Sequence, residues 1–355
     1  MKKVFLVTAI LACTAISGFT VPPAAYVDSR PQASLRLEAK DQRVVLKHGG
    51  GPGDCDICGA REAIVFEDKG IYYLHYDGAG PKGWLACLAT SHDLVHWDKR
   101  GAILGFGKPG SPDSASASSP WVIHDGKWWH LYYLGTSNVS PAPDFVPMFP
   151  YQTLTARSHS PAGPWEKQYE AAPFTTRPGT YYSATASPGA IVKDHGQFLM
   201  YFSASTPGPD VKRTLSIARA KNLDGPWVVQ VDPILPATEQ VENSSLYYER
   251  KIKTWFLFTN HIGINDRKQE FTDAVWVYWS KDLNRWDAKN KAVVLDGRNC
   301  SWSKECIGMP SVIKTGKRLA LFYDAPGGDS ISHMNRDLGL AWLDLPLSIP
   351  VPASK

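Results

Sequence analysis

Residues 59–76 read Gly-Ala-Arg-Glu-Ala-Ile-Val-Phe-Glu-Asp-Lys-Gly-Ile-Tyr-Tyr-Leu-His-Tyr, and this pattern decides the fold because it recurs along the chain. An apolar run, a short polar turn ending in glycine and a second run rich in aromatic residues together predict a β-hairpin. Similar hairpins begin at four later positions, which are Ser119, Ser187, Asn243 and Met309. Such a repeat is typical of folds that use one small sheet several times.

Each hairpin is followed by residues that predict further strands. Residues 88–97 and 277–286 share the pattern Ser-x-Asp-Leu-x-x-Trp, and an apolar stretch such as 292–295 comes next. The fifth copy ends at Pro346 without a fourth strand, whereas residues 41–46 near the N-terminus resemble one. The sequence therefore predicts an all-β fold, a five-bladed β-propeller whose ring is closed by an N-terminal strand. An open array of sheets is the alternative.

The N-terminus has the features of an export signal. Two lysines precede a run of apolar or small residues, 4–21, that carries no charge. We therefore expect a signal peptide over residues 1–25, a propeller catalytic domain over residues 26–355, and a secreted or periplasmic mature protein. Cys13 follows Ile-Leu-Ala, so a lipid anchor at that cysteine is an alternative.

Charge and composition narrow the class of partner. The formal net charge is +4 and no basic run suits a phosphate backbone, which argues against nucleic acid. No segment after the predicted signal is apolar enough for a membrane helix. Aromatic residues make up 12% of the chain, and this composition suits both β-strands and the stacking of sugar rings.

Five cysteines follow the predicted signal. An oxidising compartment permits disulfides, and we expect a bond between Cys300 and Cys306. Cys55 and Cys58 have the spacing of redox and zinc sites, but no second Cys or His pair lies at metal spacing. The sequence therefore predicts no metal site and no cofactor, apart from a structural cation that a propeller channel is able to hold.

A polar residue and Pro before a short strand, followed by Asp-Gly and alternating aromatic residues, is the pattern of residues 119–133. These repeats resemble the five-bladed glycosidases of family 43, and family 117 is similar. The resemblance covers residues 55–345. It implies an acidic general base on the first inner strand, an acidic orienting residue on the second, and a glutamate acid on a later one.

Carried over to this sequence, the resemblance assigns the base to Glu62, within Arg61-Glu62-Ala63, where those families usually have Asp-Pro. The second inner strand opens without an acid, so Asp113 just before it is the expected orienting carboxylate. Glu242, one residue ahead of the fourth hairpin, is the expected acid. Arg61 favours the charged form of Glu62, whereas apolar neighbours are expected to raise the pKa of Glu242.

Six residues are expected to bind substrate. The glycine-rich segment 48–59 contains Asp56, which is also the reserve candidate for the base, and glycines allow backbone to approach a ligand closely. Two tryptophans offer faces for sugar stacking, and the other residues offer hydrogen bonds. The full set is Arg61, Asp56, Trp84, Trp121, His261 and Arg336.

Inner strands of a propeller converge at one mouth of its channel, so residues at their starts face one another. Glycoside hydrolysis needs one protonated and one ionised carboxylate there, about 6.5–9.5 Å apart in inverting enzymes. We therefore expect an exo-acting, inverting glycoside hydrolase that removes a terminal sugar from a plant or algal oligosaccharide or polysaccharide. A glycan-binding propeller without catalysis and a glycoside phosphorylase are the alternatives.

Overall fold

The computed structural model describes residues 32–171, 173–208, 211–267 and 269–352, and its regular structure is almost entirely β. Within these ranges the helical segments are three 3-10 turns, at Pro52–Asp54, Tyr169–Ala171 and Ala237–Glu239. No helix in the described part is long and apolar enough to cross a membrane. The predicted signal peptide, with Cys13, lies outside the described residues.

The strands form five repeat units that follow the predicted hairpins. Two strands precede them, β1 (Leu35–Arg36) and β2 (Lys40–Leu46). Unit 1 contains β3 (Gly59–Asp68), β4 (Ile71–Gly80), β5 (Gly83–Ser91) and β6 (Asp98–Ala102). Unit 2 contains β7 (Ser116–His124), β8 (Trp129–Thr136), β9 (Gln152–Ser158) and β10 (Glu166–Lys167).

The remaining units have the same order. In unit 3 the first strand is interrupted, giving β11 (Thr185–Ser187), β12 (Ile191–Asp194), β13 (Gln197–Ser205), β14 (Arg213–Ala220) and β15 (Val228–Val229). Unit 4 contains β16 (Val241–Glu249), β17 (Thr254–Ile264), β18 (Glu270–Ser280) and β19 (Lys291–Leu295). Unit 5 contains β20 (Gly308–Thr315), β21 (Arg318–Ala325) and β22 (Asp337–Asp344). Consecutive strands within each unit pair in antiparallel fashion.

The N-terminal strand β2 completes unit 5. It pairs antiparallel with β22, and the register runs from Lys40 opposite Trp342 to Leu46 opposite Leu338. The predicted pairing of the N-terminal strand with the last copy is therefore confirmed. The short strand β1 adds to unit 4 by pairing in parallel with β19.

The units contact one another in a cycle. Strand β3 of unit 1 packs against β7 of unit 2 and β20 of unit 5. Units 2 and 3 meet through β9 and β11, units 3 and 4 through β13 and β16, and units 4 and 5 through β16 and β20. Each unit thus has two neighbours, and the first and last units touch.

Buried polar side chains reinforce the apolar packing between units. A ring on the second strand of one unit donates a hydrogen bond to a carbonyl in the turn of the next. The pairs are His75 with Pro161 at 2.9 Å, Tyr132 with Leu223 at 2.5 Å, and Tyr201 with Leu283 at 2.5 Å. Because buried polar groups need partners, these bonds fix the distance between neighbouring units.

A second recurring arrangement, which we call the staple, lies within single units. A carboxylate ahead of the first strand accepts one hydrogen bond from a tyrosine hydroxyl on the second or third strand. It accepts another from a lysine ammonium on the outermost strand. The three staples are Asp56–Tyr76–Lys99, Asp113–Tyr133–Lys167 and Glu239–Tyr278–Lys291. The lysine nitrogens lie 2.5–2.6 Å from the carboxylates, so the staple ties the entry of units 1, 2 and 4 to their outer edges.

The predicted disulfide is wrong, because Cys300 and Cys306 are both free and buried. The Sγ atom of Cys300 lies 3.6 Å from the Tyr323 hydroxyl, whereas that of Cys306 lies 3.0 Å from Nη2 of Arg336. The two thiols therefore face different neighbours in the packed interior.

We expect the staples to be important for stability. Replacing Lys99 by Met leaves the fully buried Asp56 carboxylate without its cation, which should lower the free energy of unfolding by about 3 kcal/mol in a urea titration. Asp344→Asn removes an exposed pair with Lys40 and is the control, with no measurable change expected. Equal effects of the two substitutions would contradict the structural role of the staple.

Candidate active site

The first strands carry a β-bulge at the same point in four units. The register with the second strand shifts there, and one residue adopts a left-handed backbone conformation. These residues are Glu62 (φ 53°), Ser119 (φ 46°), Asn243 (φ 58°) and Met309 (φ 32°). A bulge turns a side chain away from the regular strand direction. The first three of these side chains line one cavity, whereas Met309 packs in the core.

A side chain from the preceding unit accepts the backbone N–H that the bulge releases, and we call this contact the latch. The N–H of Glu62 donates to Oδ2 of Asp324 at 2.9 Å, and that of Asn243 to Oγ of Ser203 at 2.8 Å. The N–H of Ser119 donates to Oδ1 of Asp77. The acceptors all lie on second strands. The bulges at Glu62, Ser119 and Asn243 are therefore each held by the neighbouring unit.

The cavity contains both predicted glutamates. Its narrow inner end has a volume of about 90 Å³ and is lined by Arg61, Glu62, Asp77, Trp84, Ser118, Ser119, Leu134, Val146, Pro147, Tyr151, Thr185, Ser187, Ser203, Arg213, Glu242, Asn243 and His333. It opens into a cleft of about 1010 Å³ whose walls include Met148, Phe149, Ile262, Phe271 and Met334. The segment that joins β8 to β9 therefore forms one wall of the site.

Glu62 lies at the inner end of the cavity. Its Oε2 accepts a hydrogen bond from the Ser119 hydroxyl at 2.5 Å, and its Oε1 lies 3.6 Å from Nη2 of Arg61. Burial raises the pKa of Glu62, and the carboxylates of Asp324 and Glu242 add to the increase, although Arg61 and Ser119 oppose it. Glu62 is therefore placed to hold a proton.

Asp77 is a third carboxylate at this point, and the sequence analysis missed it. It lies on β4 opposite Arg61 and is buried. Burial, followed by the charge of Glu62, raises the pKa of Asp77 well above its ordinary value. A signal existed in the sequence, because Tyr-Asp ends the aromatic strand in units 1 and 5, at Asp77 and Asp324.

Glu242 has a different environment from the one expected. Its Oε2 accepts a hydrogen bond from Nη1 of Arg213 at 2.5 Å, and Asn260 approaches its Oε1 at 3.5 Å. Arg213 also binds Glu270 at 2.6 Å. The expectation of apolar neighbours around Glu242 is therefore wrong, since β14 of unit 3 brings a guanidinium to it. The environments of the two glutamates do differ, but it is Glu242, and not Glu62, that forms the close ion pair.

Arg61 and Trp84 both line the cavity, as expected for binding residues. The Arg61 guanidinium lies over the Trp84 ring at 4.9 Å, and the indole Nε1 donates to the carbonyl of Asp144 at 3.0 Å. Trp84 therefore supports Arg61, and this face is not free for a sugar. Nη1 of Arg61 donates to Nδ1 of His333 at 3.3 Å.

The structure does not bring Asp113 or Asp56 to the cavity. Both carboxylates belong to staples, and both lie six residues ahead of the bulge position of their unit, at Ser119 and Glu62. Placing Asp113 as the orienting carboxylate and Asp56 as a binding residue is therefore wrong. Asp56 and Asp113 occupy the same position ahead of the first strand of their units, and a carboxylate at that position forms the staple.

Three further predicted binding residues have structural contacts instead. Trp121 packs in the core, and His261 is buried, stacked on Trp276 at 3.7 Å with Asp273 at its Nδ1. Arg336 is buried and binds Asp324 at 2.5 Å, so it supports the latch under Glu62 from behind. None of the three lines the cavity as described.

Arg213, Tyr151 and His333 line the cavity, and none of the three is among the predicted site residues. They come from the start of a third strand, from the segment before β9 and from the segment before β22. No repeat motif marks these positions. Within the described ranges, no group of three or more His, Cys, Asp or Glu side chains is arranged to hold a metal ion. A cation in the channel remains a prediction.

Comparison with solved structures places the fold. A family 117 glycoside hydrolase from the marine bacterium Zobellia galactanivorans is similar with a TM-score of 0.62 and 15% identity, covering 88% of this chain and 93% of that one. The catalytic domain of an α-L-arabinofuranosidase from Coprinopsis cinerea is similar with a TM-score of 0.59 and 14% identity, covering 87% of this chain and 98% of that one. An α-L-arabinanase from Cellvibrio cellulosa, solved with arabinohexaose, has a TM-score of 0.58 and 16% identity, with 79% of this chain and 90% of that one covered.

These identities establish likeness of fold alone. At that level the resemblance to the family 43 and family 117 propeller glycoside hydrolases is confirmed. No family model matches the chain, and no curated protein matches it.

The raised pKa of Glu62 predicts a stability that falls with pH. The folded protein binds this proton more tightly than the unfolded chain does, so the contribution of Glu62 to stability decreases as pH rises above the ordinary glutamate value of 4.5. Glu62→Gln carries no such charge and should be more stable than wild type at pH 7, with the difference vanishing near pH 4. Urea unfolding at both pH values measures this.

Glu305→Gln, an exposed position outside the cavity, is the matched control and should show no gain at either pH. A Glu62→Gln protein that is less stable than wild type at pH 7 contradicts a raised pKa of Glu62 in the folded protein.

Proposed function

We propose that the five units form a closed five-bladed β-propeller and that the protein is a glycoside hydrolase. The observation that carries this proposal is the placement of Glu62 and Glu242, from units 1 and 4, in one cavity with unlike surroundings. Burial favours the proton on Glu62, whereas Arg213 binds the carboxylate of Glu242. Glycosidases need such a pair.

In this proposal Glu62 is the general acid that protonates the departing sugar oxygen. Glu242 is the general base that takes a proton from water, and Asp77 is a positioning residue whose latch to Ser119 holds the partner of Glu62. This reverses the roles expected from sequence. Attack by water in one step inverts the anomeric carbon, which proton NMR of the released sugar detects.

The substrate is proposed to be a plant or algal oligosaccharide, cleaved from its end. An arabinanase with this fold was solved with arabinohexaose, and the cleft of about 1010 Å³ has room for several sugar units. Its inner end, lined by Val146, Pro147 and Tyr151, has a volume of only about 90 Å³, and this small size supports exo action because it suits the end of a sugar chain.

The remaining expectations of the sequence belong to the same proposal. Residues 1–25 act as an export signal that leaves residues 26–355 as the mature secreted or periplasmic domain. Mass spectrometry of the protein recovered from its host measures the N-terminus. An uncleaved chain would contradict the signal, and a diacylglycerol mass on Cys13 would favour the lipid anchor.

A glycan-binding propeller without catalysis is the second candidate. Ser119 stands at the bulge of unit 2, and Ser187 ends the first segment of the interrupted strand in unit 3; neither adds a carboxylate to the cavity. Incubation with candidate oligosaccharides separates the two functions, because a binding protein retains sugars without releasing product.

The test begins with a screen of the purified protein on aryl glycosides and on plant and algal oligosaccharides. On a confirmed substrate, Glu62→Gln should lower turnover by about 10²- to 10⁴-fold when the leaving group is poor, and much less when it is good. Glu242→Gln should lower turnover similarly for both leaving groups, and azide should restore part of it by replacing water.

Glu305→Gln is the control and should keep wild-type turnover. If Glu62→Gln and Glu242→Gln both retain near-native rates, the assignment is wrong. The opposite leaving-group pattern would return the roles to those expected from sequence. Binding without product release on the whole panel would support the second candidate.

A further inference from the structure

Three guanidinium groups lie in or directly behind the cavity, and they differ in their counter-ions. Arg213 has carboxylate oxygens of Glu242 and Glu270 at 2.5 and 2.6 Å, and Arg336 has one of Asp324 at 2.5 Å. For Arg61 the nearest carboxylate oxygen is Oε1 of Glu62, at 3.6 Å, which is beyond a hydrogen bond. Of these three guanidinium groups, Arg61 is therefore the one that has no close anionic partner among the described residues.

The hydrogen-bond donors of Arg61 are also only partly used. The residue is 7% exposed, yet its Nε atom has no hydrogen-bond partner in the described part of the chain. Its Nη1 atom donates to His333, and its Nη2 atom makes the long contact with Glu62. Nε and Nη2 form one edge of the guanidinium, with two parallel donors that match the two oxygens of a carboxylate.

The guanidinium is held rigidly in this position. The Trp84 ring lies beneath it at 4.9 Å, and Asp144 fixes that ring through its indole nitrogen. Arg61 lines both the narrow inner end and the wide cleft. A buried cation without a close anionic partner costs free energy, and a cation in such a position gains stability when a ligand supplies the anion.

The neighbouring groups leave this positive charge uncompensated. Burial raises the pKa values of Glu62 and Asp77, which reduces their charge beside Arg61. His333 keeps an exposed face, but the protein atoms around its ring and the guanidiniums of Arg61, Arg336 and Arg213 lower its pKa well below the ordinary value. The imidazole therefore accepts from Arg61 as a neutral ring.

We propose that Arg61 binds the carboxylate of an acidic sugar, so that the substrate carries a uronic acid in the inner end of the cavity. The proposal rests on the proposed glycoside hydrolase function and names its substrate class. A sugar hydroxyl would leave one donor of the edge unused, and a planar carboxylate satisfies both. Trp84 and Asp144 act by holding Arg61 in place.

Binding of simple sugars tests this without catalysis. We would measure dissociation constants of the full mature protein by NMR titration for D-glucuronate and D-galacturonate, for D-glucose and D-galactose, and for the 6-sulfates of the two neutral sugars. At least one uronate should bind about tenfold or more tightly than its neutral parent, because a hydrogen bond to a charged group contributes about 1.5–3 kcal/mol. Added salt should reduce the preference.

Substitutions of Arg61 separate charge from geometry. Arg61→Gln should abolish the preference for the uronate, and Arg61→Lys should keep part of it, since the charge remains without the paired donors. Arg285→Gln, 89% exposed and far from the cavity in the fold, is the control and should bind like wild type. Thermal unfolding of each variant verifies folding.

Equal binding of uronate and neutral sugar by wild type would overturn the proposal without any variant, as would binding of neither uronate. Tighter binding of the 6-sulfates would overturn the choice of carboxylate. Hydrolysis of neutral oligosaccharides with no uronate preference would leave the hydrolase function standing and this proposal refuted. A uronate preference without hydrolysis of any substrate would refute the hydrolase function and keep the acidic sugar site.

Discussion

The geometry of the site depends on the left-handed bulge in the first strand of the repeat units. A bulge frees a backbone N–H, and a buried N–H without a partner is costly. The preceding unit supplies the acceptor, Asp324 for Glu62 and Ser203 for Asn243. The latch hydrogen bonds therefore both join neighbouring units and fix the directions of the cavity side chains. Contact between units and placement of the site cannot vary independently.

The identity of each latch acceptor also sets the local charge. Ser203 is neutral, whereas Asp77 and Asp324 are carboxylates, and both stand next to Glu62. Asp324 has its own cation in Arg336, and it contributes to the raised pKa of Glu62. On the other side of the cavity, unit 3 supplies Arg213 to Glu242. Two glutamates at similar strand positions thus acquire different surroundings from neighbouring units: Glu62 has a raised pKa, and Glu242 forms a close ion pair with Arg213.

The repeat made most of the fold predictable, because strand alternation and turn residues are local signals. The closing strand β2 was predictable from the missing fourth strand, and Glu62 and Glu242 from their position at strand starts. The charge partners were not predictable, since Arg213 reaches Glu242 through packing between units. Asp56 and Asp113 misled for a physical reason. An acid a few residues ahead of a bulge points to the outer lysine, whereas one at the bulge points to the cavity, and the sequence offset alone does not show the difference.

The pairing of β2 with β22 has a consequence for the timing of synthesis. Lys40 leaves the ribosome long before its partner Trp342 has been made. At about 5–20 residues per second, the strand waits roughly 15–60 s with its backbone groups unpaired. During that interval the strand itself is open to pairing with other nascent chains. A single non-local pairing thus makes completion of unit 5 a late event in biogenesis, and it concentrates the risk of aggregation in the N-terminal segment.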